Sequence, residues 1–296
     1  MTPRIRKAIA LYLTAFLTLI TLVLLNNNLY FGFNGHIPIP EYAGYSDQNC
    51  DRTQIIQEPC QYKFADDSQS HEIALIGDSH AAGLSDVVVK SAQVRHANLD
   101  IWTRTGCKYV PASILTRMQL AYLKNNSGDC QERNSHFTRE VTSKRYTDIV
   151  ISWRSTNCDD NLFVETCSSE FVKLMDDTLN FLSRYSRVLV IGPTFEYSDR
   201  EFLKPTLLFA KSKSPPKFVY RNRLIQETEI EAQLISQLRI KKVTNVDPRD
   251  TFCNQERCNL SIDGSWIMKD NNHLSRYGSI LLLKPILAAI PMKVGE

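Results

Sequence analysis

The sequence predicts an α/β protein of three layers, α/β/α, about a central parallel sheet, preceded by one N-terminal transmembrane helix. Three observations carry this expectation. Short runs that are apolar on both faces recur along the chain, as strands buried inside a parallel sheet do. Longer segments of helical character lie between them, and strands alternating with helices call for a sheet covered on both sides. Ahead of these stands an unbroken apolar stretch close to the N-terminus.

That stretch, Ala8 to Leu25, is diluted only by Tyr12 and a few threonines. At about 18 residues it is just long enough to span a bilayer. Arg4, Arg6 and Lys7 precede it and Asn26 to Asn28 follow, so the positive-inside rule keeps the N-terminus cytoplasmic and exports the remainder. A cleaved signal peptide is the competing reading. The length of the run, and the lack of a small-x-small site after it, favour an uncleaved single-pass anchor in the inner membrane. Residues 1–25 are thus read as a cytoplasmic N-terminus and anchor. Residues 26–69, with Pro38, Pro40, Pro59 and several glycines, read as a stalk and an extension tied by Cys50 and Cys60, and residues 70–296 as the main domain.

Within the main domain the expected strands are Ile73–Ile76, Leu99–Trp102, Ile149–Trp153, Val188–Ile191 and Val243–Val246. The expected helices are Ala81–Arg95, Gln131–Arg145, Ser169–Arg184, Tyr220–Leu238 and Ser275–Leu287. Glu196 to Lys217, with Pro205, Pro215, Pro216 and many lysines, is too long for a tight connection and reads as a lid, a binding loop or a surface excursion.

Composition narrows the partners. A hydrophobic content of 43% suits one globular domain with a real core, and a net charge of +3 gives no electrostatic case for nucleic acid. Eight cysteines, an even number, agree with export to an oxidising compartment. The simplest pairing joins neighbours: Cys50 with Cys60, Cys107 with Cys130, Cys158 with Cys167, and Cys253 with Cys258. Sequence alone leaves that connectivity open. No CxxC pair or close histidine pair is present, so neither a metal nor another cofactor is expected.

Two short blocks carry chemistry. Ile76-Gly77-Asp78-Ser79-His80 lies where an apolar strand gives way to a helix, a turn at which a serine is exposed beside backbone N–H groups able to stabilise an oxyanion. Asp270-Asn271-Asn272-His273 brings a carboxylate and an imidazole three residues apart near the C-terminus. Ser79 would be the nucleophile, His273 the general base and acid, and Asp270 the group that orients His273, since such triads are defined by role and geometry rather than by order in the chain. Each block also has a plainer explanation as a helix-capping turn. Ligands of parallel sheets bind beyond the carboxyl ends of the strands, where both blocks are expected to meet. His80 is read as structural or as a substrate contact, because side chains adjacent on a starting helix diverge. His36, His71, His96 and His136 have no motif around them.

The pair of blocks resembles the SGNH (GDSL-like) hydrolase superfamily, and more closely the extracytoplasmic SGNH domain associated with acyltransferase-3 proteins that O-acylate glycans. The resemblance spans roughly Cys50 to Gly278. It also rests on Thr105-Gly106-Cys107, Ile149-Val150-Ile151-Ser152-Trp153, Val246-Asp247-Pro248, the cysteines 253 and 258, and Asp263-Gly264. It implies an SGNH/flavodoxin-like sandwich and disulfides at Cys107–Cys130 and Cys253–Cys258. It further implies an oxyanion hole built from the Ser79 and Gly106 backbone N–H groups with a third donor. The wider superfamily places an asparagine there, whereas this chain has Ser152-Trp153-Arg154-Ser155, leaving Arg154 or Asn157 as substitutes. Trp153 reads either as core or as a platform for a sugar.

The activity so implied is a membrane-anchored serine O-acyltransferase of the periplasmic face, acetyl being the expected group. It would act on an envelope glycan through an acyl-Ser79 intermediate, with a separate acyltransferase-3-like membrane protein as acyl donor. A carbohydrate O-acetyl esterase using the same triad is the alternative, and a non-catalytic glycan-binding or assembly module the second.

Overall fold

The computed structural model describes residues 58–65, 71–115, 128–154, 164–197 and 217–290. In chain order the strands are β1 (Cys60–Tyr62), β2 (Glu72–Gly77), β3 (Asn98–Thr103), β4 (Asp148–Ser152), β5 (Arg187–Ile191), β6 (Phe218–Tyr220), β7 (Val243–Val246), β8 (Arg257–Asn259), β9 (Ser261–Ile262) and β10 (Ser265–Trp266). The helices are α1 (Ser79–Gly83), α2 (Ser85–Val94), α3 (Gly128–Thr142), α4 (Val164–Leu182), α5 (Gln226–Gln237), α6 (Arg249–Phe252), α7 (Arg276–Ile280) and α8 (Leu283–Ala289).

Six strands form the central sheet in the order β1-β3-β2-β4-β5-β7. All neighbours pair parallel except β1, which runs antiparallel against β3. Because successive side chains of a strand point to opposite faces, the apolar runs feed two cores at once. Ile73 and Leu75 of β2, Val150 of β4 and Leu189 and Ile191 of β5 pack with Val87, Val88, Leu282 and Ile286 on one face. Ala74, Ile76, Ile149, Ile151, Val188 and Val190 pack with Phe137, Val141, Met175, Leu179 and Ile235 on the other. This is the expected three-layer architecture. The end of the sheet where β2, β4 and β5 begin is pinned by Asp148, which accepts from Arg187 (2.7 and 2.8 Å) and pairs with His71.

Several elements differ from expectation, each for a local reason. The sheet starts ahead of position 70, because Cys60–Tyr62 pairs with Ile101 to Leu99 at the edge. Val243–Val246 forms a strand, yet Thr244 and Asn245 are exposed: it is the other edge, so one of its sides has no neighbour. The helix expected over 81–95 is two helices with Leu84 between them. Tyr220 ends a strand paired to β8, and α5 begins only at Gln226. The last helix is likewise divided, with Leu281 and Leu282 between α7 and α8. Among the described residues no helix is long and apolar enough to cross a membrane; the expected anchor, positions 26–57 and 66–69 of the expected stalk and extension, and with them Cys50, lie outside them.

Cys107–Cys130 and Cys253–Cys258 are disulfides. Cys60 is disulfide-bonded as well, while Cys158 lies outside the described residues and so does the side chain of Cys167.

Two glycines offer a test of this packing. A Cβ on Gly278, the third residue of α7, would stand 2.1 Å from the Ile267 carbonyl oxygen, whereas one on Gly83 meets nothing within 4 Å. Gly278→Ala is expected to cost about 1–3 kcal/mol through overpacking. Gly83→Ala should be neutral or gain up to about 1 kcal/mol by restricting the unfolded chain. Urea denaturation of the two variants checks this; equal midpoints would show that α7 does not sit on the 267 backbone.

Candidate active site

The site begins with how β2 ends. Gly77 has φ of 151°, and a Cβ there would meet the Ser152 carbonyl oxygen at 2.0 Å. Only glycine lets the turn pass so close to β4. The next residue, Asp78, is buried and uses both carboxylate oxygens. One accepts from the His80 N–H (2.9 Å), capping α1, and the other accepts from the Arg154 N–H (2.9 Å) just past the end of β4. Ser79 is thereby held at the carboxyl end of the sheet as the first residue of α1.

The second block is folded by its own side chain. Asp270 Oδ1 accepts from the backbone N–H of Asn272 (3.0 Å) and of His273 (2.8 Å), an Asx-type turn. The loop is closed beneath by the Met268–Leu274 bridge and by the Lys269 N–H donating to the His273 carbonyl (2.8 Å). Ser275 then caps α7 through the Gly278 N–H. The structure brings the two blocks together: Ser79 Oγ lies 2.9 Å from His273 Nε2, and His273 Nδ1 lies 2.9 and 3.0 Å from the two Asp270 oxygens. With Nδ1 protonated, the ring donates to Asp270 and leaves Nε2 as the acceptor for the Ser79 hydroxyl. Burial alone would raise the Asp270 carboxyl. The hydrogen bond and charge of His273, with the two backbone donors, bring it down instead to about 2. Such an array can deprotonate a serine and carry an acyl group on it.

The segment after β5 braces the histidine loop. Thr194 Oγ1 donates to the Asn272 carbonyl (2.8 Å), the Tyr197 hydroxyl to that of Asp270 (3.2 Å), and the Tyr197 N–H to that of Asn271 (3.2 Å). Between them Glu196 is almost fully buried, and its carboxyl is pushed up by burial, with Arg154, Asn272 and the charge of His273 opposing. Arg154 Nε and Nη2 reach its two oxygens at 3.4 and 3.3 Å. The Arg154 guanidinium is therefore directed at Glu196, and its backbone N–H at Asp78. Lys108, whose ammonium sits 4.6 Å over the Phe171 ring, is pushed down by burial while Asp78, Glu231 and Glu196 oppose the shift.

Gly106 occupies the third position of a turn closed by the Cys107 N–H on the Arg104 carbonyl (3.1 Å), and its φ of 74° is the value a type II turn requires there. The turn lies against the turn that carries Ser79, joined by the Arg104 N–H donating to the Gly77 carbonyl (3.2 Å). Among the described residues the bonds that close these turns are made by His80, Ala82, Arg104 and Cys107, and not by the Ser79 and Gly106 N–H groups. Asn157 lies outside the described residues, as do positions 198–216 of the long loop. Trp153 is 1% exposed and packs edge-on against Phe171 at 5.9 Å. Of its two readings the fold realises the core one, since a buried ring offers no face to a sugar.

His80 is placed beside the array. Its ring centroid is 4.7 Å from that of His273, its exposure is 6%, and its Nε2 is buried without a hydrogen-bond partner among the described residues. Desolvation brings it down to about 3, with Asp78 opposing, so it stands neutral next to His273. Glu196 and Tyr197 stand at the start of the long segment read as a lid, a binding loop or a surface excursion, while no motif marks Thr194 or Arg133, whose guanidinium lies beneath the Gly106 turn.

Fold and site together define an α/β domain whose serine, histidine and aspartate are assembled from two distant turns at the carboxyl end of a parallel sheet. Residues 46–288 match the family described as the SGNH domain fused to AT3 domains, and the chain belongs to it. Among solved structures it is similar to the periplasmic domain of a lipopolysaccharide acetyltransferase from Salmonella ser. Paratyphi A. That likeness has a TM-score of 0.56 at 18% identity over 74% of this chain and 83% of the other, and it speaks to the fold. No curated protein matches the chain.

The burial of neutral His80 has a measurable sign. The unfolded chain takes up a proton on this imidazole below its ordinary value of 6.5, while the folded one does not until about 3. Stability is therefore full above about pH 6.5 and is lost as pH falls through the window below it. Between pH 7 and pH 5 the parent should lose about 2 kcal/mol more than His80→Phe in urea denaturation. Parallel losses in the two proteins would mean that His80 titrates as an exposed histidine.

Proposed function

We propose that this chain is a membrane-anchored, extracytoplasmic serine O-acyltransferase that moves an acyl group, acetyl in the first instance, onto a hydroxyl of a cell-envelope glycan. The observation that carries the reading is the 2.9 Å approach of Ser79 Oγ to His273 Nε2, with Asp270 hydrogen-bonded behind the ring. Membership of a family described by its fusion to AT3 domains, and likeness in fold to an acetyltransferase periplasmic domain, support transfer as the outcome.

On this reading Ser79 Oγ attacks the donor carbonyl as His273 Nε2 takes its proton. The tetrahedral intermediate collapses to acyl-Ser79, and the departing donor group takes that proton from His273. A glycan hydroxyl then gives its proton to His273 and attacks the acyl-Ser79 carbonyl, and Ser79 leaves with the proton returned. Asp270 holds the imidazole in the required tautomer throughout and stabilises the imidazolium. The Ser79 and Gly106 N–H groups are the proposed oxyanion donors. Arg154, already directed at Glu196, is assigned to bracing rather than to the oxyanion. A separate acyltransferase-3-like membrane protein is the proposed donor, with residues 1–25 as the anchor.

Hydrolysis of glycan acetyl esters by the same array is the second reading. The observation in its favour is that the side chains of His273 and Asp270 are 25% and 37% exposed, so water has access to the base.

The 296-residue chain in detergent, with its disulfides formed, would be given an activated acetyl ester with and without envelope glycan. Acetate is expected on the glycan and, in its absence, on Ser79. Ser79→Ala should abolish turnover, and Asp270→Asn should lower kcat on the order of a thousandfold or more by losing the tautomer. Free acetate as the sole product under every condition would favour the esterase. Absence of acetyl-Ser79 in folded protein would overturn both readings.

A further inference from the structure

The turn that presents Gly106 is held from below by one face of α3. Cys130, Arg133, Asn134 and Phe137 follow one another at helical spacing, so they share that face. Cys130 is bonded to Cys107. Asn134 Nδ2 donates to the Lys108 carbonyl (3.0 Å), and Phe137 packs edge-on against Tyr109 and Trp102. Arg133, 3% exposed, does the most. Its Nη1 donates to the Gly77 and Trp102 carbonyls and its Nη2 to the Cys107 carbonyl, all at 2.9 Å, and Asn134 Oδ1 accepts from Nη2 at 2.7 Å.

Those three carbonyls belong to different pieces of the site. Gly77 lies two residues before Ser79, Trp102 lies at the end of β3, and Cys107 follows Gly106 directly. A planar guanidinium with its donors in a fixed fork sets the relative position of all three, which a point charge on a flexible stem does not do. Oxyanion stabilisation depends on N–H groups fixed at hydrogen-bond distance from where the charge develops. A slip of the Gly106 turn against the Ser79 turn would separate the two proposed donors while leaving the Ser79–His273 contact in place.

We propose that Arg133, seated in its place by Asn134 and the adjoining Cys107–Cys130 disulfide, is the positioning residue that registers the Gly106 turn against the nucleophile turn and so sets the oxyanion hole. The inference rests on the acyl-transfer reading of Ser79. It assigns to a buried helix residue, remote in sequence from both blocks, control over transition-state binding without contact to substrate.

The test uses the whole chain in detergent with an activated acetyl ester. Arg133→Lys keeps the charge and loses the fork; its kcat is expected to fall by about a hundredfold, the scale of losing one oxyanion donor. KM should stay within about twofold, because only transition-state binding is removed. The pH dependence of kcat should be unchanged, since the Ser79–His273–Asp270 contacts are untouched. Asn134→Ala, which leaves the net charge unchanged and removes an acceptor of the Arg133 guanidinium, should lower kcat by about tenfold and keeps the test decisive if Arg133→Lys does not fold. Val141→Ala, buried on the same helix away from the turn, lowers the melting temperature as a control and should leave kcat as in the parent. A folded Arg133→Lys or Asn134→Ala with parental kcat, or a fall in kcat no larger than that of Val141→Ala, overturns the inference. If the parent acetylates Ser79 and the variants do so equally fast, this inference alone fails. A parent that never acetylates Ser79 overturns the acyl-transfer reading, and this inference with it.

Discussion

The Asp78 carboxylate is the constraint on which the site depends. It is buried, and its two oxygens are spent on two different pieces of chain, the start of α1 and the backbone beyond β4. A carboxylate accepting two backbone N–H groups forms charge-assisted bonds stronger than neutral ones. These bonds fix the angle at which α1 leaves the sheet. Gly77 makes the arrangement possible by letting the turn run against the Ser152 carbonyl. With either lost, Ser79 would still be at a strand end, but its hydroxyl would have no set direction.

The histidine loop needs support of another kind, since it reaches Ser79 from 194 residues away in the chain. Its internal Asx turn sets its shape, and residues 194–197 set its position. Glu196 connects the two halves: it receives Arg154, whose N–H is on Asp78, and Asn272, next to His273. Ser79 and His273 are thus joined through a buried polar chain as well as by their direct hydrogen bond. Such chains stabilise a single arrangement when every member has partners, and they make each member expensive to remove.

Much of this was legible in the sequence, and the limits are physical. Ile73–Ile76 and Ile149–Ile151 were readable because a strand buried on both faces has no polar alternation to confuse it. Val243–Val246 was readable as a strand though not as an edge, whereas Cys60–Tyr62, an edge strand of three residues, has a composition that resembles a loop. The break at Leu84 follows Gly83 directly, but a lone glycine inside an apolar helical pattern is tolerated and does not by itself mark an end. Ser79, Asp270 and His273, which the structure brings together, were visible because each lies in a compact local motif. Arg133 and Glu196 were not, because their partners are backbone groups and side chains from three separate segments. No spacing rule encodes contacts of that kind. Trp153 shows the reverse case, a residue at the right strand end whose ring turns inward against Phe171.

The direction of β1 has a geometric consequence. It pairs antiparallel, with Cys60 opposite Ile101 and Tyr62 opposite Leu99, so the chain enters the sheet from the rim where β2 and β3 end and where Ser79 stands. The Ser79 hydroxyl therefore stands on the side of the domain by which the chain comes into the sheet, and whatever precedes β1 meets the domain at that rim. A strand of three residues thus sets the side from which the chain reaches the domain.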